Sequence, residues 1–223
     1  MPACQKADVL DLSNFLQYIA SGTMYTLGAT FISLPAGLIL GLCFALLYLY
    51  GGKFISVVMT AYSTVLRGIP PIVLLFVLYF VVSGGINLSP FLAGSISLGI
   101  ISSAYQMEII RGAIQSVSGG QMMAARAIGL SKAQAIREVL LPQALRLALP
   151  PWSNEAAIVI KDSSLIYALG VPEILRRAQL ISASTQQPFL AYSAAAVIYF
   201  ALVFMTTRLL GRLEKKLTIP ANP

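Results

Sequence analysis

Long uncharged runs alternate with short polar breaks along this chain, and the runs have the length of helices rather than strands. Residues 23–50 carry no charge. They exceed the roughly 20 residues needed to cross a bilayer core, which predicts a first span that tilts or protrudes. Gly37 and Gly41 lie along it as a small-xxx-small pair of the kind that lets two helices approach closely. The second apolar segment, 54–83, is broken by Arg67-Gly68-Ile69-Pro70-Pro71. Proline removes a backbone donor and pushes the preceding residue out of helical geometry, so the pattern predicts a leading helix over 54–66 and a spanning helix from about 70. A third run, 91–111, holds Ser102, Ser103, Tyr105, Gln106 and Glu108. Polar atoms are costly in lipid, so these side chains should face protein or water. Glu108 and Arg111, three residues apart, share a helix face and read as a local ion pair.

The fourth run, 149–169, opens on Pro150-Pro151, where missing donors cost least. It carries Asn154, Glu155, Lys161 and Asp162, and Gly170-Val171-Pro172 ends it. Residues 173–188 read as a polar loop and 189–207 as a fifth span. Residues 1–20 form a polar-to-amphipathic lead, either a short interfacial helix or a frayed terminus, and residues 217–223 form a tail. The pattern predicts an all-α integral membrane protein, with one transmembrane domain of five spans over 21–216.

Composition strengthens this reading. Only 10% of the 223 residues are charged and 57% are hydrophobic, with a mean hydropathy of +0.81. Soluble domains carry about 25% charged residues. The net charge of +7 would suggest nucleic acid in a soluble chain. Here the basic residues segregate. Lys53, Arg67, Arg111, Arg126, Lys132, Arg137, Arg146, Arg208, Arg212, Lys215 and Lys216 fall on one side of the predicted spans. Lys6, Arg176 and Arg177 fall on the other, and Lys161 lies within a span. The positive-inside rule then places the C-terminus in the cytoplasm and the N-terminal lead outside, in the periplasm, with no role for nucleic acid.

Histidine is absent, which removes imidazole from any catalytic or metal-binding scheme. Cys4 and Cys43 are too far apart in sequence to suggest a disulfide framework or a metal motif, and Cys43 reads as a small core residue. The uncharged stretch after Asp11 outruns the hydrophobic region of a cleavable signal. A Walker-type phosphate loop is absent, so this chain should not itself hydrolyse ATP.

The longest mixed polar segment is 119–146. Gly119-Gly120 breaks the preceding helix, and good helix formers follow over Gln121 to Ile128. Gly129 can stop that helix in the left-handed region. Ser131 with Gln134 makes a capping-box pattern for a second helix over 132–141, and Pro142 ends it. The product is a helix–glycine–helix hairpin presented to the cytosol and suited to docking.

Its residues Met123-Ala124-Ala125, Gly129, Val139 and Leu141-Pro142 resemble the EAA loop of ABC importer permeases. Arg67-Gly68-Ile69-Pro70, Ala104-Tyr105 with Glu108-Ile109, Asn154-Glu155, Lys161-Asp162-Ser163-Ser164-Leu165 and Gly170-Val171-Pro172-Glu173 resemble the polar amino acid branch. The resemblance covers about residues 20–216. It implies a type I ABC importer permease fold in a prokaryotic plasma (inner) membrane, working as a pair with a second copy or homologue. It also implies two ATPase subunits, which would hold ATP and magnesium, and an extracytoplasmic amino acid binding protein. This chain would hold no cofactor. Met123, Ala124, Ala125, Arg126, Gly129, Leu130, Ser131 and Pro142 would couple it to the ATPase. The family usually has glutamate at the position of Met123, isoleucine at Val139 and asparagine at Ile101.

Alternating access needs a polar site near mid-membrane. The candidates are Ser102, Ser103, Gln106, Asn154, Glu155, Lys161 and Asp162, in which carboxylates could meet a substrate ammonium and Lys161 a carboxylate. Two other readings stand beside this one. The first is a scaffold permease whose partner reads the substrate. The second is an intramembrane hydrolase using Ser163 or Ser164 with Lys161, whose adjacent positions point to different helix faces.

Overall fold

The computed structural model describes residues 12–85, 87–117 and 119–217. Among them there is no strand. The helices are α1 (Leu12–Ala20), α2 (Thr23–Tyr50), α3 (Lys53–Gly68), α4 (Pro71–Gly85), α5 (Pro90–Ser116), α6 (Gly119–Ala127), α7 (Lys132–Gln134), α8 (Leu141–Asp162), α9 (Ile174–Thr185) and α10 (Pro188–Leu217). A π turn, Ala135–Leu140, joins α7 to α8, and a 3-10 helix, Ser163–Leu169, extends α8.

The core is built on α2 and α5, which run parallel. Gly28 lies against Phe91, Gly37 against Gly99, and Gly41 against Met107. Ser33 Oγ sits 2.8 Å from the Ser95 carbonyl across the same seam. A methyl group at Gly41 would come within 2.8 Å of the Met107 amide nitrogen, so the glycine expected for helix packing is there because two backbones touch. Helix α8 runs opposite to α5: Gly94 meets Ile166, whereas Trp152 meets Gln106 further along. Helix α10 descends beside α8, from Tyr199 near Glu173 to Leu217 near Leu145.

The return from α2 to α5 is the broken segment. Helix α4 is bent 116° away from the direction of α3, with the bend at the Gly68–Pro70 break expected from the prolines. This bent pair carries the chain from the end of α2 back to the start of α5. Among the described residues, two helices, Ser13–Tyr50 (α1 continuing into α2) and Pro188–Leu217, are long and apolar enough to cross a membrane. The bent pair counts as a third if read as one span. Helices α5 and α8 have the length, 27 and 22 residues, but carry polar side chains, many of which turn inward.

Four expectations need correcting. Pro142 does not end a helix: the chain continues through the π turn into α8, with Pro142 in its first turn. The Leu141 amide reaches back five residues to the Ile136 carbonyl, and this widened turn relieves the clash a proline makes with the turn before it. Pro150 and Pro151 likewise lie inside α8 rather than at a helix start, and the fourth long helix begins at Leu141. Residues 173–188 are mostly helix, not loop. Ile174, Ala178 and Ile181 form a buried stripe at helical spacing that packs with Phe15 and Ile19 of α1 and Ala191 of α10. Cys43 is exposed rather than in the core.

Glu173 caps α9. Its carboxylate accepts from the amides of Leu175 (2.8 Å) and Arg176 (2.6 Å) and from the Tyr199 hydroxyl (2.6 Å). Burial pushes this carboxyl up, opposed by those three donors. The lead is a docked helix from Leu12 onward. The part of it over 1–11 and the tail over 218–223 lie outside the described residues.

Candidate functional site

Where α5 faces α8, four side chains form one directed chain of hydrogen bonds. Trp152 Nε1 donates to Gln106 Oε1 (2.8 Å). Gln106 Nε2 donates to Ser102 Oγ (3.0 Å) and to the Leu34 carbonyl of α2 (3.1 Å). Ser102 Oγ donates to Glu155 Oε1 (2.7 Å). Ser102 and Gln106 are four apart and share one face of α5, so a single helical turn sets the spacing. Each donor points toward Glu155, which is only 4% exposed. In a low-dielectric interior such bonds polarise one another and hold a carboxylate in place.

Asp162 lies two turns beyond Glu155 along the same side of α8. With Ser102, Tyr105 and Glu155 it lines a cavity of about 10 Å³. That holds about one water molecule, so the polar centre is closed in this conformation.

The structure therefore brings Ser102, Gln106, Glu155 and Asp162 together. Ser103, also buried, faces the other way. Its hydroxyl lies 2.5 Å from Tyr62 Oη and donates to the Ile100 carbonyl (2.7 Å) on the α3 side. Asn154 and Lys161 are exposed on the outward face of α8. Trp152 was not among the sequence candidates. It is the chain's only tryptophan, and the need of a buried indole N–H for an acceptor was the available signal.

A second polar cluster lies nearer the basic end. Arg111 donates to Glu108 through Nε (3.0 Å) and Nη2, which makes the expected ion pair. Ser63 Oγ also donates to Glu108 (2.8 Å), and Arg67 lies 4.0 Å away. The Arg67 guanidinium covers the Tyr105 ring and that of Arg111 covers the Tyr48 ring. Five of these side chains pin the bent α3 to α5, with Tyr48 of α2 against Arg111.

The hairpin is built as its residues dictate. Gly129 has φ +91°, the left-handed conformation of a helix stop. The Leu130 amide bonds the Ala125 carbonyl (3.2 Å) and the Gly129 amide bonds that of Arg126 (3.1 Å), a Schellman closure. Arg126 Nη1 adds a brace to the Leu130 carbonyl (2.8 Å). Ser131 and Gln134 form both bonds of the capping box. Ala125 is buried, Leu130 half-buried, and Ala124 exposed. Met123 and Ile128 are 70% and 80% exposed, so the tip offers apolar surface. Pro142, also exposed, belongs to α8. Among the described residues no group of three or more His, Cys, Asp or Glu could hold a metal ion.

Residues 33–219 match the family model described as binding-protein-dependent transport system inner membrane component. The chain is 34% identical over 214 residues to the arginine ABC transporter permease protein ArtQ of Haemophilus influenzae, covering 92% of this chain and 96% of that protein. It is 36% identical over 204 residues to the glutamine transport system permease protein GlnP of Escherichia coli K12, covering 90% and 93%. A solved structure described as an amino acid ABC transporter with histidines matches at a TM-score of 0.83 and 35% identity, covering 95% of this chain and 100% of that one. An inward-facing methionine ABC transporter, MetNI, shares the fold at a TM-score of 0.79 and 21% identity, covering 91% and 97%. Members of this family are multi-pass membrane subunits that work with separate ATPase and binding-protein partners. The chain belongs to the binding-protein-dependent transport system inner membrane component family: it is an ABC transporter permease subunit, and ATP hydrolysis belongs to a separate subunit.

Proposed function

We propose that this permease carries an amino acid through a path whose fixed polar element is Glu155. The observation that carries this is a buried carboxylate, held by a directed hydrogen-bond chain, inside a helix pair that crosses the apolar bundle. An intramembrane carboxylate is expensive unless it serves a pathway or a partner. Glu155 and Asp162 offer acceptors to an ammonium group, and the relatives named for arginine and glutamine agree with that class. Lys161 and Asn154, on the outward face, are placed to meet a second permease copy or a substrate carboxylate. The single-water cavity must widen for passage, which alternating access supplies.

We read α2, α3–α4, α5, α8 with its 3-10 extension, and α10 as five membrane spans. Eleven of the 15 basic residues gather at the end that carries the hairpin. That end is the cytoplasmic one, with the C-terminus inside and α1 and α9 outside. The exposed Met123 and Ile128 then face the ATP-binding subunit, where ATP and magnesium are held.

Uptake in proteoliposomes containing the complex, its ATPase and its binding protein tests the reading. A hydrogen bond to a charged group contributes about 1.5–3 kcal/mol, so Glu155→Gln should lower uptake about ten- to hundredfold. Basal ATPase activity of that variant should persist. Unchanged uptake would overturn the assignment and favour a scaffold subunit beside a substrate-reading partner.

A further inference from the structure

Helices α2, α8 and α10 leave a groove on the outside of the bundle. Its upper part, about 540 Å³, is lined by Leu34, Pro35, Leu38 and Trp152 among others, with Thr206 of α10. Its lower part, about 280 Å³, shares Leu38 and Trp152 and reaches Arg146 and Leu217. The two parts are therefore continuous. They run from the middle of α2 to the basic end of the bundle.

Apart from Thr30 and Thr206 the lining is apolar along its length, and charge enters only at the mouth. Arg146 is the one charged residue of the lining, and it is exposed there. Leu217, at the same mouth, ends the turn of α10 that carries the exposed Lys215 and Lys216, with half-buried Glu214 as the only carboxylate. The result is an apolar slot with a net cationic opening.

We propose that this groove is an anionic-phospholipid site, with one acyl chain against Leu38, Pro35 and Trp152 and the phosphate at Arg146. Charge complementarity selects this occupant. Basic pockets between membrane helices recruit anionic headgroups, and arginine binds phosphate through a planar fork. A second copy of this chain is a poorer fit. A twofold pairing centred on the groove would press the same cationic mouth against itself.

The site has a consequence within the bundle. Trp152 forms a wall of the groove and also donates to Gln106, the first link of the chain that ends on Glu155. A lipid that orders the indole thereby steadies the polar centre from outside it.

Because Trp152 is the only tryptophan, its fluorescence reports the groove directly. The full-length chain would be placed in vesicles of phosphatidylcholine, into which equal fractions of brominated phosphatidylcholine or brominated phosphatidylglycerol are introduced, with bromines at mid-chain. One arginine–phosphate pairing near the membrane surface supports about a fivefold preference for the anionic lipid. Brominated phosphatidylglycerol should thus quench at about one-fifth the mole fraction that phosphatidylcholine needs. The preference should shrink as salt rises and vanish in Arg146→Gln. Equal quenching by both lipids in the unaltered chain would overturn the proposal. So would quenching by neither, as a protein occupant would give. Both outcomes are read without the variant, so a folding failure of Arg146→Gln leaves the test intact.

Discussion

The α2–α5 seam and the 119–131 hairpin both depend on glycine, for opposite reasons. In the seam, Gly37 and Gly41 are ordinary helical residues whose missing side chains leave room for another backbone. In the hairpin, Gly129 has nothing within 4 Å of where a Cβ would lie, and glycine is needed there for its φ of +91°. One region is limited by space and the other by backbone conformation. The first holds the bundle together, and the second shapes its outward contact.

The largest effect should come from Gly41→Leu. The obstacles are the Met107 amide nitrogen at 2.8 Å and the Gln106 carbonyl carbon at 3.0 Å, neither of which can rotate away. Overpacking alone costs about 1–3 kcal/mol, and here the helices must part. The variant should lose its folded yield in detergent, measured by size-exclusion chromatography. Gly129→Val should cost about 1–2 kcal/mol locally, through the left-handed conformation. Its melting midpoint should stay near that of the parent, while uptake per ATP hydrolysed falls. If both regions failed in the same assay, the distinction between space and conformation would collapse.

A smaller effect is expected for Ser131→Ala, which removes the cap on the Gln134 amide and costs about 1 kcal/mol. Coupling should weaken in transport assays without loss of assembly. The smallest belongs to Gly112→Ala, in the last turns of α5, where a methyl group meets nothing within 4 Å. A glycine in a helix is about 1 kcal/mol worse than alanine, so the melting midpoint should rise slightly. A fall there would mean that a neighbour covers this surface.

What could be read from the sequence divides along the same line. The hairpin features are local. Gly129 as a stop and Ser131 with Gln134 as a cap involve residues three to five apart, and all were visible in order. So was the break between α3 and α4, because proline acts on its own turn. Prolines at 142, 150 and 151 misled, since the helix continues through them, with a widened turn just before Pro142. The α9 stripe was hidden by Glu173, Arg176 and Arg177. Their charges suggest loop, although Glu173 is buried as a cap and Tyr199 closes over it. The Trp152–Gln106 link joins residues 46 apart, and no periodicity predicts such a pair. Cys43 misled because an apolar run in a membrane protein faces lipid as readily as core.

From Lys132 to Leu169 the chain never leaves helical geometry: α7, the π turn, α8 and the 3-10 helix follow without a break. At about 1.5 Å per residue this is a rod on the order of 55 Å long, well beyond the bilayer core of about 30 Å. One end adjoins the hairpin and the other reaches the far face, with Glu155 and Asp162 between. With no loop in it, a displacement of the hairpin end has no slack segment in which to be lost before Glu155, and the π turn, with its looser pitch, is where such a displacement can be absorbed.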